Sequence, residues 1–293
     1  MGWVALPVKR RDMLARARGV VFHRWHGDAQ AGEASGMDVH VSYDRPEEGP
    51  KSGPVQVGWF LTEDKGAVLF DAPERLVSRQ VSRTHAKSAS RCPAVIQMES
   101  RYFAVKCPYD LHLGFSCDDK GKAVLVNRAG AASAVRGSKI GQIVTLVNEV
   151  EWRYPDRPTV QLHLPYCFIA DEPVWLTQLG PFAHYRKDPL PGTTFGGRFP
   201  LSIWPRPLMW AFEWHEPERD LILRRGEPLF YCQFEHDGPD RPVQMVEAER
   251  TPELLAYMEK IGGVVNYVNQ TFGLMKAAEA MRPARLLKPK DRP

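Results

Sequence analysis

Between Val55 and Ala248 the sequence divides into thirteen short runs rich in β-branched and aromatic residues, each bounded by turn formers and none separated by a helical period. VQVGWFL, LHLGFSC, TVQLHL, LMWAFEW and PLFYCQF are typical of them. Parallel strands need a long crossover, usually a helix, so strands joined only by turns pair mainly antiparallel. The expected fold is therefore all-β, a β-sandwich or jelly roll. A chain of 293 residues with 43% hydrophobic content is large enough to give such a domain a real core.

Helical spacing emerges only after Thr251. There Thr-Pro-Glu supplies an N-cap, a proline at the first helical position and an acid in the first turn. Leu254, Leu255, Met258, Ile261, Val265 and Val268 then recur three or four apart, and Gly262-Gly263 is expected to break the helix in two. The predicted organisation is an irregular basic arm over 1–50, a β domain over 51–250, a helical segment over 251–281 and a basic tail over 282–293. That helix either packs on the β domain or makes a homo-oligomer contact.

The net charge of +4 is unevenly placed. Six basic residues and one acid lie in Met1–Trp25, five basic residues and one acid in Arg282–Pro293, and the remainder carries a net charge of −5. Both ends read as solvated, flexible segments. Neither end interleaves aromatics with its basic residues, so nucleic acid is not the expected partner. No apolar run is long enough to cross a membrane as a helix, and no apolar core follows the basic start as in a secretory signal. Five cysteines without a CxxC pair point to free thiols in a reducing cytoplasm rather than a disulfide framework or zinc ribbon.

Three strands carry ligand-type residues two apart and opposite an apolar face: Asp110 and His112, Gln161 and His163, and Glu213 and His215. His163, Glu213 and His215 could supply two imidazoles and a carboxylate to Fe(II) or another divalent metal, with Asp110 and His112 as further donors. The same alternation is what a sandwich shows when it turns its polar face to water. His23, His26 and Asp28 form another possible donor group, while Glu235, His236 and Asp237 run into a turn at Asp-Gly. The loop PLPGTTFGGRFPLSIWPRP combines glycines that permit close backbone approach with Arg198, Trp204 and Arg206, which could hold a small-molecule substrate.

The runs QLHLPYCFIADEPVWLTQLGPFAHYRKDPLPG, GRFPLSIWPRPLMWAFEW and ILRRGEPLFYCQF, within Gln161–Phe234, resemble a group of bacterial and phage proteins similar to the domain of unknown function 6065 family. The upstream RCPAVIQMESRYFAVKCPYDL resembles segments of marine-phage proteins. The likeness implies a small-molecule-processing enzyme of specialised or phage-encoded metabolism, a metal-dependent oxygenase being one form. It carries over no catalytic residue. The alternative is a non-catalytic β-sandwich binding or assembly protein.

Overall fold

The computed structural model describes residues 52–77, 88, 91–238, 240–264, 267 and 272–291. The chain is mostly β, with 35% strand against 21% helix. Its strands are β1 (Val55–Leu61), β2 (Glu74–Arg75), β3 (Tyr102–Lys106), β4 (Leu111–Cys117), β5 (Ala123–Asn127), β6 (Val144–Leu146), β7 (Thr159–Ile169), β8 (Trp175–Leu179), β9 (Gly192–Thr194), β10 (Gly197–Pro200), β11 (Pro207–Trp214), β12 (Leu221–Leu223), β13 (Pro228–Glu235) and β14 (Val243–Glu247). They form a six-stranded sheet in the order β14-β1-β7-β11-β9 with β6 also on β7, a five-stranded sheet β10-β8-β13-β3-β2, and a three-stranded sheet β12-β4-β5. All the pairings are antiparallel except β1 with β14, which run parallel with Val55 opposite Val243.

Two helices interrupt what reads as an unbroken series of strands. Helix α1 (Pro93–Arg101) precedes β3, and α2 (Gly137–Ile143) precedes β6. Cys92 caps α1 in extended conformation and Pro93 takes its first position, where a missing N–H costs nothing. The run GAVLFD likewise forms a short 3-10 turn at Ala67–Leu69, because Gly66 turns the chain at φ 71°. The Asp118–Gly121 turn joins β4 to β5 as its residues suggest: Asp118 Oδ1 accepts from the Lys120 and Lys122 amides at 2.9 Å, and Gly121 has φ 77°.

The strand period of two assigns the faces of the six-stranded sheet. Even-numbered residues of β7 and β11, among them Leu162, Phe168, Trp210, Phe212 and Trp214, enter a core shared with residues of the other two sheets. On the opposite face Phe60, Cys167 and Ile169 meet Leu254, Tyr257 and Ile261 of α3 (Pro252–Ile261) and Ala278 of α4 (Met275–Met281). Thr251 caps α3 by accepting from the Leu254 amide at 3.2 Å, and Gly262 ends it. The apolar side of α3 is thus spent on its own domain. The remaining outer face, around Gln161, His163, Met209 and Glu213, is left to other neighbours.

The C-terminal segment is docked, which corrects the expectation of a flexible basic tail. Leu286 and Leu287 are buried in the second core, and Pro289 bridges Ala248 beside β14. Lys288 and Lys290 pair with Glu249 and Glu247 at 2.7 and 2.8 Å. The segment pairs with the end of β14, where Lys290 donates to the Glu247 carbonyl oxygen and Glu249 to that of Lys288, each at 2.8 Å.

Candidate functional site

Strand β7 changes partners in the middle, and a cleft opens there. Its residues Val160–Leu162 pair with β6 and Tyr166–Ile169 pair with β1, where Thr62 also donates to the Pro165 carbonyl oxygen at 2.8 Å, leaving His163 and Leu164 without a ladder on that side. On the other side β7 bulges against β11: Pro207 lies opposite Cys167 but Met209 opposite His163, so two steps on β11 span four on β7. Bulges of this kind re-aim side chains and are frequent beside functional sites. The gap becomes a cleft of about 350 Å³ with Leu69, Phe70, Ile143 and Met209 among its apolar walls.

The polar residues of this cleft are Thr62, Glu63, Lys65, Tyr109, Gln142 and His163. The Nε2 of His163 hydrogen-bonds Thr145 Oγ1 at 2.7 Å, which orients the ring. Burial pushes the Tyr109 hydroxyl above its usual pKa, so it stays an O–H donor across the physiological range. Its ring packs edge-on against Phe70 at 6.1 Å. The Lys65 ammonium lines the rim and forms no ion pair among the described residues. An apolar pocket with an oriented imidazole, a phenol, a cation and the Glu63 carboxylate can hold a small molecule with an apolar body and a polar head.

Glu213 and His215 lie elsewhere. Glu213 is opposite Thr159 on β7, four residues along β11 from Met209 and His163. At about 3.3 Å per residue that separates the two groups by roughly 13 Å. His163 therefore cannot join Glu213 and His215 in a facial triad, and the expected three-residue ligand set is not assembled. Among the described residues no group of three or more His, Cys, Asp or Glu is placed to hold a metal ion.

The Glu213–His215 pair is nonetheless unlike the solvated strand face that alternation suggests. Glu213 is only 3% exposed. Its Oε1 is shared by His215 Nε2 at 2.9 Å and Arg157 at 3.5 Å, and Arg157 stacks on Tyr154 at 4.3 Å. Thr193 Oγ1 contacts the same His215 Nε2 at 3.2 Å. Carboxylate and hydroxyl thus meet one ring nitrogen, whereas a relay would use both. The arrangement ties β9 to the end of β11. Gly192 makes the approach possible, since a Cβ there would fall 2.0 Å from the Glu213 carbonyl oxygen.

The remaining candidates are dispersed. His112 is paired with Asp220 at 2.7 Å, and Asp110 accepts from the Arg225 amide at 2.9 Å. Arg198 binds Glu235 at 2.6 Å and lies over Trp175 at 4.8 Å. Trp204 packs on the second core, and Arg206 is exposed just before β11. Arg198, Trp204 and Arg206 therefore do not converge, and none lines the His163 cleft. His236 Nδ1 contacts the Asp237 carbonyl oxygen at 2.8 Å, next to Gly238 at φ 97°. His23, His26 and Asp28, with the arm over 1–50, lie outside the described residues.

The five cysteines are free, Cys92 and Cys117 exposed and Cys107, Cys167 and Cys232 buried. Burial pushes the Cys107 thiol up to about 11 and raises Cys167 and Cys232 further. At pH 8 a thiol-reactive disulfide reagent should label Cys92 and Cys117 within minutes, and the other three only after denaturation. Rapid labelling of Cys107 in the native state would contradict this packing.

No helix among the described residues is long and apolar enough to cross a membrane. Comparison of the chain with protein-family models, with curated proteins and with solved structures returns no match.

Proposed function

We propose that the protein binds a small molecule in the cleft at the partner switch of β7, with its apolar body against Phe70, Ile143 and Met209 and its polar head on His163, Tyr109 and Lys65. The observation that carries this is that the ladders on both sides of β7 are interrupted around Leu164, next to the oriented imidazole of His163. Of the two classes open from sequence, the binding protein is better supported than the oxygenase, because the donors that an Fe(II) site would draw on are split, His163 on β7 standing four residues along the β7–β11 ladder from Glu213. Arg198, Trp204 and Arg206 are replaced in this reading by the cleft residues.

The architecture completes the proposal. The shared core of the six- and five-stranded sheets supports a β-sandwich, with the cleft opening where the six-stranded sheet is interrupted and its lining joining core-face Leu164 and Leu208 to outer-face His163 and Met209. The resemblance of Gln161–Phe234 to the domain of unknown function 6065 family supplies no activity to this reading. The free thiols favour a reducing, cytoplasmic setting.

Fluorescence titration with 1-anilinonaphthalene-8-sulfonate, a probe with an apolar body and an anionic head, tests the cleft. One equivalent should bind saturably to the native chain. Met209→Trp, at a position 39% exposed, should fill the cleft and weaken binding about tenfold or more, while His163→Ala weakens it less. Binding that is absent, unsaturable or indifferent to Met209→Trp would defeat the proposal.

A further inference from the structure

We infer a second binding site, for a small oxyanion, in the cleft of about 520 Å³ between the 184–191 loop and β12. It shares no lining residue with the His163 cleft and stands independently of the function proposed there.

Its walls are fixed by basic side chains whose charges are already engaged. Arg186 donates to the Ile222 carbonyl oxygen at 2.9 Å and pairs with Glu227 at 3.1 Å. Arg219 grips both oxygens of Glu216 at 2.9 and 2.8 Å and reaches the Pro189 carbonyl at 3.2 Å, tying the loop to the following turn. On the floor, the Asp220 carboxylate is held by His112 at 2.7 Å and by Arg128 at 3.3 Å, contacts that keep it below the usual carboxylate range. Gly114 gives Arg128 its place, since a Cβ there would lie 2.2 Å from the guanidinium Nε. The acids Glu227, Glu216 and Asp220 are thereby neutralised by named partners.

Two cations are left over. Lys187 and Arg224 line the cleft, both exposed, and neither has a carboxylate partner among the described residues. Lys187 follows the pinned Arg186, and Arg224 follows Leu223, which is buried in the core. Each is therefore flanked by an anchored residue while its own head is unspent. The remaining acid of the lining, Asp188, forms no ion pair among the described residues, so the free charges of the cleft are two cations against one carboxylate. An oxyanion between Lys187 and Arg224 would accept charge-assisted hydrogen bonds from both, a fork from Arg224 and a point charge from Lys187. A phosphate monoester and a carboxylate share this chemistry.

Calorimetric titration of the full chain with inorganic phosphate and with acetate, at constant ionic strength set with chloride, tests the site. Saturable binding of one equivalent is expected, with affinity falling about tenfold or more in Lys187→Ala/Arg224→Ala at unchanged Tm. Preference for phosphate assigns a phosphate ligand, and preference for acetate a carboxylate ligand. Arg224→Gln should give an intermediate loss, and Met209→Trp none. If neither anion binds saturably, or if the double variant binds as the parent does, there is no such site.

Discussion

Trp210→Ala is expected to lower the stability of the chain by about 3–5 kcal/mol, with a fall in Tm on the order of 10 °C. The indole is fully buried, stacks on Phe212 at 5.2 Å and 16°, and donates to Thr194 Oγ1 at 3.2 Å. Its removal leaves a cavity between sheets and an unsatisfied hydroxyl on β9. Met209→Ala, one residue earlier and on the opposite face, removes a side chain that is 39% exposed and should stay within about 0.5 kcal/mol of the parent. Urea denaturation followed by circular dichroism measures both. Equal losses would mean that the faces of β11 are wrongly assigned.

The period of two made this assignment legible: in PLMWAFEW the aromatics fall on one side, and that side is core. The C-terminal helix was legible for a similar reason, because Thr251, Pro252 and Gly262 punctuate a three-four spacing. Helices α1 and α2 were not. At nine and seven residues they are too short to establish a period, and Val95 and Ile96 in one and Ile140 and Ile143 in the other read equally well as strand. The parallel pairing of β1 with β14 joins opposite ends of the described β region, and no local pattern encodes a pairing at such separation.

The candidate site was legible residue by residue but not as a place. His163 could be identified as a polar residue off the core face. What surrounds it depends on where β7 exchanges β6 for β1 and where β11 slips its register, which are properties of pairing rather than of either strand alone. The same register separates His163 from Glu213. Glu213 itself looked solvated, because alternation cannot reveal that Arg157, His215 and Thr193 would close over it. His112 proved to be a partner of Asp220 rather than a free donor.

Deleting residues 282–293 should have an effect as large as Trp210→Ala, although composition makes the segment look like a solvated tail. Leu286 and Leu287 are 1% and 2% exposed, and burying two leucines contributes about 3–6 kcal/mol. Gly58 leaves room for them: a Cβ there would stand 3.1 Å from Leu287 Cδ1. Asp171 Oδ1 accepts from the Leu286 and Leu287 amides at 2.6 and 3.2 Å, and Arg282 donates to the Ser202 carbonyl oxygen at 2.7 Å. Losing the segment therefore unfastens the second core and bares the end of β14, so the truncated chain should melt early and aggregate on heating. The charges contribute little, because Lys288 and Lys290 are mostly exposed and their ion pairs are screened by water. Lys288→Ala/Lys290→Ala should leave Tm nearly unchanged, whereas Leu286→Ala/Leu287→Ala should reproduce most of the truncation. A lysine pair that mattered as much as the leucine pair would return the segment to what its composition suggests, an arm governed by charge.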